Sequence, residues 1–100
     1  MIENREEFEQ TAIELGVPRH TAESLTRYVF DGVPPGQFLE AVLSNDLMES
    51  FARADDENTR NIRYLAAFIY NELPGNSHGT LERMVEWMKE RRENATRAFP

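Results

Sequence analysis

The sequence predicts an all-α fold: a compact orthogonal bundle of five to six short helices in one domain. Three observations point there. Apolar residues recur at three- and four-residue spacings along almost the whole chain. Period-two alternation of useful length is missing, as is an Asn-Gly or Asp-Gly turn between two apolar runs. Proline, glycine and short polar residues fall where one stripe stops and the next begins.

Asn4 is placed to cap a first helix, with Glu6 and Glu7 in its first turn, where negative charge suits the helix dipole. Phe8, Ala12 and Leu15 share a face, and Gly16 followed by Pro18 ends the helix. A second helix spans about 18–30, with Ala22, Leu25, Tyr28 and Val29 inward; Asp31-Gly32 closes it and Pro34-Pro35 forbids continuation. From Pro35 the stripe runs through Phe38, Leu39, Val42 and Leu43, then loses phase at Ser44-Asn45-Asp46. It resumes about one residue late with Leu47, Met48, Phe51 and Ala52, which predicts two short helices meeting at Asn45-Asp46, with Asp46 as the second N-cap.

The next helix is the most apolar. Ile62, Leu65, Ala66, Ile69 and Leu73 form a row, with Tyr64 and Phe68 beside it. A stripe that wide predicts a central helix packed on two sides. Pro74-Gly75 closes it, and Thr80 caps a last helix that buries Leu81, Met84, Val85 and Met88, with Trp87 at the edge. Beyond about Arg92 the tail is polar, and residues 93–100 are expected to fray.

Length and composition bound the rest. One hundred residues make one domain with one modest core. The absence of cysteine removes disulfides, thiolate metal sites and a thiol nucleophile. No apolar run approaches the ~20 residues that span a bilayer. The opening MIENREEFEQ is acidic where a secretory signal would be basic and then apolar, so the expectation is a cytoplasmic protein. Charge is uneven: residues 1–57 carry 13 acids against 4 bases, and residues 58–100 carry 5 acids against 7 bases. The acidic part repels nucleic acid, whose affinity comes largely from neutralised phosphates, and attracts a basic protein surface.

The burst Asp55-Asp56-Glu57 stands before the most apolar helix. Its simplest role is to start that helix, with Asp55 or Asp56 as cap, Glu57 in the first turn and Asp56 to Arg60 as an i,i+4 pair. A sharper role is a carboxylate metal site shared with Asp46 and Glu49; the glycine and glutamate spacing of a calcium-binding helix–loop–helix is absent. His20 and Glu23 are three apart, but a di-metal bundle needs that arrangement twice. No nucleophile elbow or phosphate-binding glycine loop occurs. The sequence therefore predicts no catalytic residues, metal ligands or cofactor.

The stretch from Gly32 through Asn45-Asp46-Leu47 and Glu49, then Arg53-Ala54-Asp55 and Asn58, then Tyr70-Asn71-Glu72 and Pro74 is a spaced pattern, GxPxGxFLxAVLxNDLxE…RADxxN…YNExP. It resembles a group of short proteins of tailed bacteriophages, prophages and their bacterial hosts. The likeness covers residues 27–88 and leaves 1–26 as an N-terminal helical addition. Members often carry a Trp-Gly-Ser piece where this chain has His78-Gly79-Thr80; the cap survives and the tryptophan does not. The resemblance implies a bacterial host cell as the setting, and it draws attention to Asn45, Asp46, Arg53, Asp55 and Asn58. These are expected to form a structural polar network in which Arg53 braces Asp46 or Asp55.

The functional expectation is an accessory protein that binds a host or phage protein through an acidic face of Glu40, Asp46, Glu49, Asp55, Asp56 and Glu57. Inhibition of a basic or nucleic-acid-binding host factor by mimicry of DNA is a special case. The alternative is a helical module that binds nucleic acid through Arg60, Arg63, Arg83, Arg91, Arg92 and Arg97.

Overall fold

A computed structural model describes residues 4–97. They form six α-helices and one short 3-10 turn, with no strand among them: α1 (Arg5–Glu14), α2 (Arg19–Asp31), α3 (Gln37–Leu43), α4 (Leu47–Arg53), α5 (Asp56–Glu72), the turn Gly75–Ser77, and α6 (Leu81–Arg97). The predicted all-α bundle is the observed one.

Helix starts follow local chemistry. Asn4 accepts from the N–H groups of Glu6 and Glu7, and Asp55 accepts from that of Asn58. Asp46 caps α4 through the Glu49 N–H at 3.2 Å, and Thr80 caps α6 through the Arg83 N–H at 3.1 Å. Each bond satisfies a donor that the first turn leaves without an intrahelical acceptor. The α3–α4 joint is a Schellman turn. Asn45 takes φ 66°, its N–H reaches the Val42 carbonyl, and the Asp46 N–H reaches the Ala41 carbonyl at 2.8 Å. Asparagine tolerates that left-handed position better than most residues, so one dipeptide ends one helix and begins the next.

The core has its centre on α2, not on α5. Thr21, Ala22, Leu25, Thr26, Tyr28 and Val29 are all buried. From α1, Phe8 and Ala12 are fully buried, and the Phe8 ring meets Phe30 and Phe68 edge to face at 5.4 and 5.1 Å. A division at residue 26 falls inside α2, and both sides of it feed one cluster of buried side chains. Arg5 clamps Asp31 with two bonds of 3.0 and 2.7 Å, joining the start of α1 to the end of α2.

α6 crosses the end of α2 at close quarters. The Trp87 indole N–H donates to the Val29 carbonyl at 3.2 Å, and the Arg92 Nε–H donates to the Gly32 carbonyl at 3.2 Å. Gly32 has φ 71°, and a Cβ there would lie 2.7 Å from the Met88 carbonyl oxygen. The Tyr28 hydroxyl donates to the Ser77 carbonyl at 2.6 Å and fixes the 75–77 turn. Burial pushes the Tyr28 phenol well above its ordinary value, so it stays a donor.

Several inward assignments fail. Leu15, Leu81 and Val85 are exposed, and Trp87, expected at an edge, is buried with Met84. Ala66 and Tyr64 of the predicted two-sided stripe are exposed, because α5 is covered on one side only. On α4 only Ser50 is buried, while Leu47, Met48, Phe51 and Ala52 face outward. Of the tail expected to fray, residues 93–97 belong to α6 and residues 98–100 lie outside the described residues.

Gly32→Ala should lose about 2 kcal/mol or more in urea unfolding, from left-handed strain plus the Met88 clash. Gly75→Ala, whose Cβ would meet open space, should be close to neutral by the same measurement. Tyr28→Phe should cost about 1–3 kcal/mol in the same assay by leaving the buried Ser77 carbonyl without its donor.

Candidate functional site

The six acidic candidates divide into two groups. Glu40 of α3 with Asp46 and Glu49 of α4 borders an open polar cleft of about 220 Å³ that Gln37, Ser44 and Arg53 complete. Asp55, Asp56 and Glu57 sit at the start of α5, beyond the other end of α4. A seven-residue helix is about 10 Å long, so α4 holds Asp46 apart from the α5 trio, and a single metal site joining them does not form. Among the described residues no group of three or more histidines and carboxylates is placed to hold a metal ion.

The expected polar network is also split. Arg53 does not brace Asp46 or Asp55. Its Nε–H donates to Glu49 at 3.1 Å and its NH1 to the Gln37 side-chain oxygen at 3.2 Å, pinning α4 to the start of α3. Asn45 acts through its backbone angle at the joint. Asp55 and Asn58 belong to a second cluster that ties α5 to α2. There the buried Thr21 hydroxyl donates to Asn58 Oδ1 at 2.6 Å, while the Asn58 N–H donates to Asp55 Oδ1 at 2.7 Å.

His20 completes that cluster, a role that no spacing along the chain signals. Its Nε2 lies 3.1 Å from Asp55 Oδ2 and its Nδ1 lies 3.4 Å from Glu57 Oε1. Spacing along one helix drew attention to Glu23 instead, whereas the contact spans 35 positions. The Asn58 N–H, then the His20 side chain, hold the Asp55 carboxyl below its ordinary value. Asp56 stays exposed, and among the described residues no ion pair joins it to Arg60. His78 is half-buried beside Arg83, and burial, then that positive charge, lowers its pKa. Ser77 is not set up beside it as a nucleophile, because its hydroxyl donates to the Pro74 carbonyl at 2.7 Å.

The arginine set is drawn partly into the fold. Arg83 reaches the Gly75 and His78 carbonyls, Arg91 stacks on the Trp87 ring at 4.1 Å, and Arg92 bonds Gly32. Arg63 lies over Tyr64 at 5.4 Å, Arg60 is exposed, and the Arg97 side chain lies outside the described residues.

A hollow of about 230 Å³ lies between Leu15 at the end of α1 and Tyr64, Ala67 and Phe68 of α5, with none of the six acidic candidates in its lining. Two further hollows share Val42, Asn45 and Ala66: one lies between α4 and α5, and the other between α5 and the 78–79 loop.

Asp55→Ala should cost about 1 kcal/mol through the lost cap. Since folding lowers the Asp55 pKa, its contribution is complete above the unfolded value of 3.8 and disappears as pH falls through the folded one. The variant should therefore lose less stability than the parent between about pH 4 and pH 2 in acid titrations followed by circular dichroism. No family model, curated protein or solved structure matches the chain.

Proposed function

We propose that this chain is a small acidic binding module of phage or prophage type that docks on a partner protein through outward-facing carboxylates. One observation carries the reading: Glu40, Asp46 and Glu49, contributed by two helices, border the same open cleft, with Arg53 the single cation lining it. Net negative charge gathered on one surface speeds encounter with a basic partner and selects against wrong ones. The phage or prophage setting rests on the resemblance of the spaced pattern from Gly32 to Pro74 alone. Binding, not catalysis, is the proposed activity. DNA mimicry is the form this takes if the partner is itself a nucleic-acid-binding factor.

The test is capture from bacterial lysate with the parent chain and with a Glu40→Gln, Asp46→Asn, Glu49→Gln variant. Asparagine keeps the α4 cap, so the variant removes charge and preserves the fold. A specific partner should be retained by the parent at low salt, released at high salt, and missed by the variant. Equal retention by the variant, or no partner at low salt, defeats the reading. Competition by duplex DNA picks out the mimicry form.

A further inference from the structure

α4 is amphipathic the wrong way round for a helix that serves the core. Its single buried residue is Ser50, while Leu47 is 66 %, Met48 80 % and Phe51 49 % exposed. α5 continues the same surface, with Ala66 exposed and Tyr70 at 82 %. Between the two helices lies one hollow of about 150 Å³, with Leu47, Ser50 and Ile62 in its wall. A second, about 160 Å³, continues past Ile69 to Tyr70 and Gly79. The two share Val42, Asn45 and Ala66, so together they form one apolar cleft with two depressions.

We propose that this cleft receives the apolar face of a basic amphipathic helix on a partner protein. The inference rests on the protein-binding reading above and adds an apolar contact surface that meets the carboxylate cleft at Asp46. A cavity of about 150 Å³ is enough to hold a benzene ring, so each depression accepts one large apolar side chain. Two adjoining depressions fit two anchors that a helix presents at i and i+4, the helix-in-groove mode of recognition.

Charge decides the occupant. Asp46 lines the cleft, and the chain as a whole carries a net charge of −7. A second copy of the chain would bring the same net negative charge, and a nucleic acid or an anionic lipid surface would be repelled in the same way. Lysines or arginines flanking an apolar helical stripe are attracted. Arg63, one turn from Ala66 on α5, lies over the Tyr64 ring, and Arg83 is held by the Gly75 and His78 carbonyls beside the second depression.

The experiment is a low-salt fluorescence-anisotropy titration of three synthetic peptides: an amphipathic Leu/Lys helix, a scrambled isomer of the same composition, and a Leu/Glu counterpart. The amphipathic Leu/Lys peptide should bind about tenfold or more tightly than the scrambled one, and the Leu/Glu peptide should not bind. Ala66 lines both depressions and is exposed, so Ala66→Glu puts bulk and a carboxylate between the two anchor positions and should weaken the first peptide about tenfold or more despite stronger attraction. Circular dichroism confirms that the variant is folded, and Tyr70→Ala supplies an independent reduction if it is not. Equal binding of the two Leu/Lys peptides overturns the cleft inference while leaving charge-driven docking standing. So does binding that survives Ala66→Glu yet is lost when Glu40, Asp46 and Glu49 are neutralised. Failure of the amphipathic peptide to bind overturns the cleft inference, whatever the lysate capture shows.

Discussion

The burial of α2 is the constraint on which the rest of the structure depends. α1, the 75–77 turn, α5 and α6 each cover part of it, and each is fastened by a polar bond as well as by packing. Arg5 holds Asp31, Tyr28 holds the Ser77 carbonyl, Thr21 holds Asn58, and Trp87 holds the Val29 carbonyl. Apolar burial alone is non-directional. The three buried bonds, from Thr21, Tyr28 and Trp87, are what select one arrangement of short helices, since a buried partner left unpaired costs more than the bond itself contributes.

Helix boundaries were legible because the atoms that set them are neighbours in the chain. Asn4, Asp46, Asp55 and Thr80 act on N–H groups two or three residues away, and Gly32 ends α2 by its own backbone angle. The phase slip at Asn45 was visible for the same reason. Coverage was not legible. An apolar stripe records which face avoids water but not how many neighbours arrive to cover it. α5 looked two-sided from its width, yet Ala66 and Tyr64 remain outside; α4 looked like part of the core, yet its Leu47 and Met48 point away.

The candidate site shows the same division. The helix-starting role of Asp55 followed from its position, whereas its partnership with His20 depends on how α2 and α5 pack. Arg53 turned to Glu49, four residues back, and to Gln37, because these lie on the side of α4 that faces α3. Carboxylates that looked like one surface in the sequence became two groups once α4 was placed between them.

The Asn45-Asp46 joint has a bearing on how this molecule can change over generations. It delivers α4 to the surface with its own start signal and with only Ser50 committed inward. Drift on the outer side of that helix therefore rewrites what the protein touches while leaving its thermodynamic reserve almost untouched. The chemistry of this surface and the foldability of the chain are separable here.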